Sequence, residues 1–500
     1  MSLVVFRPDR VGPFPFPKSA PEAREKDFSE VEQPYTKEQA MLEADRCLRC
    51  GTPVCIDACP VQLDVRGMMD AVANGDFKTA YERIRETNPL LGVTARCCPQ
   101  LQGLCEDACV VRWGGQPLSI GMVQRYVADW EQNESRQPGP ASEPKTGKKV
   151  AVVGGGPAGL AAAALLLRYG HDVTIYEESD HLGGTAWYGI PDYHLPKDVL
   201  SYEAGRIVEA GALVKTGVKV GRDVSLSSLL DEADAVLVAT GSRDVRALDT
   251  PGAQLGGIYD GYGFLRRVYM EGVDVYLRGY AKELGKDVIV VGGGDSALDC
   301  ARTALRLTQG NVTVVYRRDE KDMPADPIMV QEAKEEGVEF EFLSDPIEFV
   351  GDGRVVKGAV VAAMRLGQPD STGRKHPEPI PGRSSTLKCD SVLLAIGRGP
   401  DSFLEKAEGL KASAKGAISV DDHYRTSMTG VFAAGDATTG ETLVVKAMGH
   451  ARECAQRVHE FLTGLEGRHV SLYERYYLER TTEDSYQDML NGKEGGLPPD

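Results

Sequence analysis

The sequence lacks a long apolar run and an excess of positive charge, and each absence excludes a class of protein. The longest apolar run, residues 160–167, is too short to span a bilayer. The formal net charge of -17 opposes binding to nucleic-acid phosphates or to anionic membranes. The first residues also lack the apolar core of a signal peptide. We therefore expect a cytoplasmic protein with no membrane span and no nucleic-acid partner.

Cysteine is scarce over most of the chain and concentrated near its start. Of eleven cysteines, the eight in the first quarter are Cys47, Cys50, Cys55, Cys59, Cys97, Cys98, Cys105 and Cys109. In a reducing cytosol such a cluster indicates metal binding more than disulfides. Tight cysteine runs with a proline after a cysteine, as at Cys59-Pro60 and Cys98-Pro99, are typical of 4Fe-4S loops. Zinc is the alternative, because a Cys-x2-Cys pair also suits a tetrahedral ion.

The segment that carries these cysteines has patterns that predict helices. Thr36 and Gln39 form a capping box at the start of the first helix. The predicted helices are 36–46, 65–74, 77–87 and 119–131. A proline- and charge-rich arm up to about Pro34 precedes them, and it is expected to lie over another surface. The polar, proline-broken residues that follow at 133–147 predict a linker.

A glycine-rich turn joins a predicted strand to a predicted helix after the linker. Its residues are Gly154, Gly155, Gly156, Pro157, Ala158 and Gly159. Gly154 permits the tight turn, Gly156 lets the backbone approach a pyrophosphate, and Gly159 lets the helix pack on the strand. Glu177 follows the next predicted strand, 172–176, where a carboxylate can bind a ribose diol. The pattern predicts a dinucleotide site.

The same pattern recurs 138 residues later (292 minus 154), which indicates a second dinucleotide site. This turn contains Gly292, Gly293, Gly294, Asp295, Ser296 and Ala297. Ala297 replaces the third glycine and still leaves room for helix packing. After the next predicted strand the acidic pair of the first copy is replaced by Arg317 and Arg318. Arginine suits a 2′-phosphate, so the second site should prefer NADP(H), although a solvated strand end would show the same pair.

Three more strands end in glycine turns and complete the two units. The strand 233–241 ends at Thr240 and Gly241, and the strand 390–397 ends at Gly397. A third, 430–436, ends at Gly435 and Asp436, where the aspartate can bind a flavin ribityl or phosphate group. Cys300, Cys389 and Cys454 are expected to be core thiols. No serine–histidine–aspartate or paired-carboxylate constellation stands out, so the predicted site residues bind cofactors and none is catalytic.

Together these motifs resemble the small, or beta, subunit of glutamate synthase. The chain is also similar to the N-terminal half of dihydropyrimidine dehydrogenase and to bifurcating NADPH-ferredoxin oxidoreductase subunits. The resemblance extends from about Thr36 to Thr463. The motifs that carry it are the cysteine runs, the two glycine turns and five further short segments. These segments are 183–184, which includes Gly184, and 188–191, 195–197, 316–318 and 434–436.

The resemblance implies an α/β fold with two Rossmann-like dinucleotide-binding domains, one inserted in the other. An α-helical domain binding two 4Fe-4S clusters precedes them. The implied layout is a helical iron–sulfur domain, 1–132; a linker, 133–147; an FAD domain, 148–245 and 396–465; an NAD(P)H domain, 246–395; and a C-terminal extension, 466–500. That extension is either a partner-facing segment or an ordinary surface tail.

The resemblance also implies the cofactors and their ligands: FAD at the first loop, NADPH or NADH at the second, and two 4Fe-4S clusters. One cluster would be held by Cys47, Cys50, Cys55 and Cys109, and the other by Cys59, Cys98, Cys105 and Gln124. Glutamate stands at the Gln124 position in glutamate synthase and glutamine in dihydropyrimidine dehydrogenase. The alternative for Gln124 is an amide on a helix surface. Cys97 is left over beside Cys98.

The implied chemistry is hydride transfer from the nicotinamide to the flavin, followed by single-electron transfer to a partner protein. The partner would be the glutamate synthase large subunit, ferredoxin or another metalloenzyme subunit, so a hetero-oligomer is expected. A long gap between Cys98 and Cys105, His194 in place of a common arginine, and the extended tail depart from the glutamate synthase pattern. These departures leave the cofactors intact and put the identity of the partner in doubt.

Overall fold

The computed structural model describes residues 17–24, 27–51, 53–139, 142–246, 248–271, 281–369 and 374–464. The predicted extension, 466–500, lies outside the described residues. Within these ranges, no helix is long and apolar enough to cross a membrane.

Helices make up the first part of the chain, as the sequence predicts. The capping box is present, because Gln39 N–H donates to Thr36 Oγ1 and Thr36 N–H donates to the Gln39 side chain. Asp64 and Asp76 cap the helices that follow them. The helices are Pro21–Arg24, Lys37–Asp45, Val54–Asp57, Val65–Ala73, Phe77–Arg85, Leu91–Cys97, Cys105–Ala108, Val110–Gly114 (3-10) and Ile120–Asn133.

A five-stranded parallel sheet forms the first α/β unit. Its strands, in spatial order, are Val431–Ala433, Ala235–Val238, Lys149–Val153, Asp172–Tyr176 and Leu213–Lys215. Apart from the exposed Lys149, the two central strands Ala235–Val238 and Lys149–Val153 are apolar and buried, as expected for a parallel sheet covered on both faces. The helices of this unit are Pro157–Arg168, Thr185–Tyr188, Lys197–Glu209, Leu226–Glu232, Ser402–Glu408, Asp436–Thr439 and Val444–Thr463.

A second five-stranded parallel sheet forms the second α/β unit, whose segment is inserted in the sequence between two segments of the first unit. Its strands, in spatial order, are Ile258–Asp260, Ser391–Leu394, Asp287–Val291, Asn311–Tyr316 and Glu339–Phe342. Its helices are Gly261–Glu271, Ala281–Leu284, Asp295–Thr308, Glu320–Asp322 (3-10) and Pro327–Glu335. An antiparallel sheet of Ser344–Gly351, Val356–Pro369 and Lys375–Lys388 packs on it, and the short strands Asp244–Val245 and Arg398–Gly399 pair where the chain passes between the units.

One hydrophobic core joins the helical domain to the first α/β unit. It extends from Tyr35 to Val458, the latter on the last helix. The second unit has separate cores on the two faces of its sheet. The helical domain and the first unit therefore pack as one body, to which the second unit is attached.

The described part of the N-terminal arm lies across the second unit, as expected for an arm over another surface. Lys18 and Arg24 form ion pairs with Glu332 and Glu335 at 2.6 and 2.8 Å. Phe28 packs against the core of the second unit. These contacts tie the start of the chain to a helix some three hundred residues away.

Candidate functional site

The first glycine loop has the backbone geometry that its glycines permit. Gly154 has φ +105°, and a Cβ there would lie 2.4 Å from the carbonyl oxygen of Ala239. A Cβ on Gly159 would lie 1.9 Å from the carbonyl oxygen of Gly154. At Gly156 the nearest atom to an added Cβ is Gly184 Cα at 3.8 Å. The backbone is therefore tightly packed at Gly154 and Gly159, whereas free space remains beside Gly156.

A cleft of about 1000 Å³ opens over this loop. The sequence-predicted residues that line it are Gly154, Gly156, Pro157, Ala158, Glu177, Gly184, Thr240, Gly241 and Asp436. The helix that begins at Pro157 has no side-chain hydrogen bond at its N-cap within the described structure, so its first N–H groups can bind an anion. The cleft thus combines a glycine loop, a helix N-terminus and convergent polar groups.

Glu177 is buried at the edge of the cleft and is held by the backbone. Its carboxylate accepts hydrogen bonds from Gly155 N–H at 2.7 Å and from Ser179 N–H at 2.9 Å. Arg243 lies 3.9 Å from Glu177 and forms an ion pair with Glu178. A carboxylate has about four acceptor positions, so Glu177 can still accept from a ribose diol.

Thr240 and Asp436 place further oxygen atoms in the cleft. Thr240 Oγ1 is buried and has no hydrogen-bond partner in the described part of the chain, an orphan that a bound ligand would satisfy. Asp436 accepts from Thr442 Oγ1 at 2.7 Å. Burial raises the pKa of Asp436 to about 6, although Thr442 opposes the shift. The residues present therefore fit a dinucleotide with a pyrophosphate, and FAD, which the resemblance implies at this loop, is such a dinucleotide.

Several residues of the cleft were missed by sequence reasoning. Arg398 is buried and forms an ion pair with Glu441 at 2.8 Å. Its guanidinium lies 4.2 Å from the ring centroid of Tyr262, which belongs to the second unit. The only sequence signal for Arg398 is its position directly after the predicted Gly397 turn. Other polar residues of the lining that sequence reasoning missed are Thr185, Lys219, Ser242, Arg243 and Thr442. Of these, Thr185, Ser242 and Arg243 directly follow predicted glycine turns.

Three predicted residues lie next to the cleft without lining it. Gly159 packs against the loop from below, as described above. Gly397 has φ +92° and lies near Glu441 Oε2, 3.6 Å from an added Cβ. Gly435 has φ +68°, and an added Cβ would lie 2.9 Å from Ala158 Cβ. These glycines shape the backbone around the cleft.

The second glycine loop repeats the geometry of the first. Gly292 has φ +153°, and an added Cβ would lie 2.3 Å from the carbonyl oxygen of Ala395. An added Cβ on Gly294 meets nothing within 4 Å. Ser296 is exposed and Ala297 is buried under the helix. Asp295 accepts from Asp326 N–H at 2.8 Å, and burial raises its pKa to about 6.

The structure separates the two arginines predicted for a 2′-phosphate. Arg317 is exposed at the end of its strand, whereas Arg318 is buried. Arg318 Nε donates to the carbonyl oxygen of Lys375 at 3.0 Å. Arg317 is therefore the arginine whose whole guanidinium can reach a ligand.

Electrostatic interactions among the thiols show which of the clustered cysteines lie close to one another. In the first set, burial raises the pKa of Cys55 to about 12, and the charges of Cys109, Cys47 and Cys50 raise it further. In the second set, burial raises the pKa of Cys105, and Glu106, Cys59, Cys98 and the first set's Cys55 raise it further. Members of each set are therefore close enough for their charges to interact. All eleven cysteines lie in the described ranges and are free thiols, and Cys300, Cys389 and Cys454 are buried in the cores.

The second set lines one small cavity, to which Cys59, Cys98, Cys105 and Gln124 all contribute. Gln124 is buried, and its Nε2 donates to the Leu91 carbonyl oxygen at 2.7 Å and to Thr94 Oγ1 at 2.8 Å. A carbonyl oxygen only accepts, so the amide nitrogen must be the atom at Leu91. The amide oxygen is left as the donor atom for a metal. This arrangement of three thiols and one oxygen fits a 4Fe-4S cluster.

Within the described ranges, no three His, Cys, Asp or Glu side chains form a site for a single metal ion. Cys97 is partly buried, and Cys98 rather than Cys97 lines the cavity.

Two protein families match separate parts of the chain, one with the two glycine loops and one with the clustered cysteines. Residues 148–451 match the family described as pyridine nucleotide-disulphide oxidoreductase. Residues 24–136 match the family described as dihydropyrimidine dehydrogenase domain II, 4Fe-4S cluster. The first match covers more than half of the chain.

Similarity to individual proteins covers most of the chain. It is 38% identical over 449 residues to the glutamate synthase (NADPH) small chain of Azospirillum brasilense, covering 88% of this chain and 92% of the relative. It is 36% identical over 436 residues to the NADP(+)-dependent formate dehydrogenase subunit beta of Moorella thermoacetica, covering 82% of this chain and 60% of the relative. The structure of FprA from Mycobacterium tuberculosis shares the fold, with a TM-score of 0.55 at 19% identity over 69% of this chain and 89% of that chain.

Two dinucleotide loops, two cysteine sets and these matches identify the class of protein. The chain is a flavin- and iron–sulfur-containing oxidoreductase that uses a pyridine nucleotide, and its relatives are subunits of larger enzymes. It belongs to the glutamate synthase small-chain family.

Proposed function

We propose that this chain is the electron-input subunit of a larger enzyme, accepting electrons from NADPH and passing them to an acceptor on another chain. FAD would occupy the cleft at Gly154, NADPH the loop at Gly292, and the two 4Fe-4S clusters the two cysteine sets. When bound, the flavin supplies the conversion between two-electron hydride transfer and single-electron transfer.

One observation carries this proposal: the flavin cleft and the second cysteine cavity share a wall. Val444 lines the cleft, and the next residue, Val445, lines the cavity with Cys59, Cys98 and Cys105. Both residues begin the helix Val444–Thr463. A cofactor in the cleft and one in the cavity would therefore be separated by the start of one helix, which suits direct electron transfer.

The chain's own residues bind, orient and shield the cofactors. Glu177 is positioned for the ribose of FAD, and Thr240 and Asp436 offer polar groups along the cleft. Arg317 is the proposed ligand of the NADPH 2′-phosphate, since Arg318 is engaged with Lys375. The proposed cluster ligands are Cys47, Cys50, Cys55 and Cys109 in one set and Cys59, Cys98, Cys105 and Gln124 in the other.

The acceptor is proposed to be a glutamate synthase large subunit, so that the complex is a hetero-oligomer in the cytoplasm, where thiols stay reduced. The identity of 38% to a glutamate synthase small chain over 88% of this chain supports it. Ferredoxin is the second candidate, since hydride-to-cluster transfer suits either acceptor. The similarity to a formate dehydrogenase subunit beta favours a third, another metalloenzyme.

Anaerobic purification followed by flavin and iron analysis tests the cofactors. We expect one FAD and about eight irons per chain if both clusters form. Zinc without iron would refute the cluster assignment. Co-purification from the native cell then separates the acceptors, because a large FMN-containing subunit supports glutamate synthesis, whereas ferredoxin or another metalloenzyme supports the alternatives.

A further inference from the structure

A bridge of hydrogen bonds links the second glycine loop to the second cysteine set. Ala325 N–H donates to the carbonyl oxygen of Gly293, the middle glycine of the loop, at 3.1 Å. The carbonyl oxygen of the same Ala325 accepts from Gln102 Nε2 at 3.1 Å. Gln102 lies between Cys98 and Cys105, in the gap that is longer than the family pattern. One residue thus connects the nucleotide loop to the loop between two cluster ligands.

His194 provides a second connection between the same two regions. Its Nε2 lies 3.0 Å from the carbonyl oxygen of Arg96, so Nε2 carries a proton and donates. Arg96 precedes Cys98 by two residues and is held by ion pairs to Glu30 and Asp129. His194 Nδ1 faces Asp299 Oδ1 at 3.9 Å, and neither atom has a hydrogen-bond partner in the described structure.

Asp299 lies in the first turns of the helix that starts at the second glycine loop. Burial lowers the pKa of His194, but Asp299 outweighs burial and raises it to about 9, so the imidazole is charged at neutral pH. A charge pair inside the protein interacts more strongly than one in water. His194 therefore links the helix Asp295–Thr308, through Asp299, to Arg96, which lies two residues before the proposed cluster ligand Cys98.

From these two connections we infer that nucleotide occupancy of the Gly292 loop tunes the 4Fe-4S cluster proposed for Cys59, Cys98, Cys105 and Gln124. An anionic dinucleotide lowers the reduction potential of that cluster, and cluster reduction weakens nucleotide binding by the same factor. The inference depends on the proposed function, because it needs both the nucleotide and the cluster at these sites. Gln102 and His194 act as positioning residues.

The sign follows from charge, and the reciprocity from linkage. Adding an electron to a cluster is less favourable when an anion is bound to a network that contacts its ligand loops. A coupling between two binding events must be equal in both directions. The physical contacts are the hydrogen bond from Gln102 to the Ala325 carbonyl and the contacts of the His194 imidazole. Replacing Gln102 and His194 should therefore uncouple the two sites and leave each cofactor bound.

The test is an EPR-monitored anaerobic redox titration of the holoprotein with and without 2′,5′-ADP, which binds without accepting hydride. The signal of the second cluster is the one altered in Gln124→Leu. We expect 2′,5′-ADP to bind the cluster-reduced protein about tenfold more weakly than the oxidised protein, equivalent to a lowering of about 59 mV for one electron. Calorimetry on both redox states measures the same factor independently.

In the double variant Gln102→Ala/His194→Gln we expect the factor to fall below about twofold, with iron and flavin content unchanged. Gln102→Ala alone, at an exposed position, keeps the test available if the double variant does not fold. Gln331→Ala, an exposed glutamine of the nucleotide unit, is the matched control and should retain the full factor.

Equal affinity in the two redox states of wild type would overturn the inference while leaving the proposed function intact. An unchanged ratio of 2′,5′-ADP affinities in the double variant would also overturn it. The coupling would then be a direct electrostatic interaction between the two sites that does not pass through Gln102 and His194. Failure of both 2′,5′-ADP and ADP-ribose to bind, or absence of the second cluster, would refute the proposed function and the inference together.

Discussion

Glu203 of the first α/β unit caps a helix of the iron–sulfur domain. Its carboxylate accepts from the N–H groups of Gly92 and Val93 at 2.6 and 3.1 Å. These residues lie in the first turn of the helix Leu91–Cys97, which Cys98 follows directly. The carbonyl oxygen of Leu91 accepts from Gln124 and orients its amide. A buried side chain in one domain therefore positions a cluster ligand in another.

Replacing Glu203 by alanine should destabilise this junction. Two buried N–H groups would lose their acceptor, at a cost of about 1–3 kcal/mol each. We expect a lower anaerobic denaturation midpoint and faster iron loss. Glu209→Ala, an exposed carboxylate on the same helix, should change neither quantity beyond its surface ion pairs.

Glu203 should also contribute to the pH dependence of stability. Burial raises its pKa from the ordinary value of 4.5 to about 7, although the N–H groups of Gly92 and Val93 oppose the shift. The folded protein therefore binds more protons than the unfolded chain between these pH values, and the contribution of Glu203 to stability is lost as the pH rises. Urea titrations of wild type and Glu203→Gln from pH 5 to 7.5 should converge toward low pH; parallel curves would contradict this assignment.

Coenzyme preference should depend on Arg317 more than on Arg318. Removing charged hydrogen bonds to a 2′-phosphate costs about 1.5–3 kcal/mol, so Arg317→Ala should raise the KM for NADPH roughly 10- to 100-fold with little effect on NADH. Steady-state reduction of an artificial acceptor measures both. Arg383→Ala, an exposed arginine on the antiparallel sheet, is the control. Equal losses with NADPH and NADH would refute the phosphate role.

Gln124 should decide whether the second cluster is retained and at what potential. Gln124→Leu removes the proposed fourth ligand, and we expect the iron content to fall from about eight toward about four. Gln124→Glu should keep the iron and lower the potential, because a carboxylate adds a negative charge. Gln132→Leu, on the same helix but outside the cavity, is the matched control. Full iron in Gln124→Leu would exclude ligation by this side chain.

A substitution at Thr240 should change the affinity of the cleft for FAD without changing the stability of the flavin-free protein. Because Thr240 Oγ1 has no hydrogen-bond partner in the described structure, Thr240→Val should not lower the stability of the flavin-free protein. Loss of one hydrogen bond to FAD should weaken FAD binding about 2- to 13-fold. Thr426→Val should lower the stability of the flavin-free protein and leave FAD affinity unchanged, since Thr426 Oγ1 donates to the Val431 carbonyl oxygen. Unchanged FAD affinity in Thr240→Val would remove this hydroxyl from the site.

Local patterns predicted the elements well, because those signals act over a few residues. The capping box at Thr36 and Gln39 placed a helix correctly, and the apolar runs before Gly154 and Gly292 are parallel strands. The glycine spacing likewise anticipated where a Cβ would clash. Arg317 and Arg318 show the limit, because their adjacent positions gave no indication that one is buried and the other exposed.

The sequence by itself determined the cofactor-binding chemistry of this protein, since two glycine loops and eight clustered thiols are short-range signals. Only the tertiary structure decided which residues meet. Arg398 and Tyr262 in the cleft, the shared wall at Val444 and Val445, and the bridge through Ala325 join segments far apart in sequence. Such contacts depend on how domains pack, and packing is set by the sum of buried surfaces over the whole chain, which no local pattern contains.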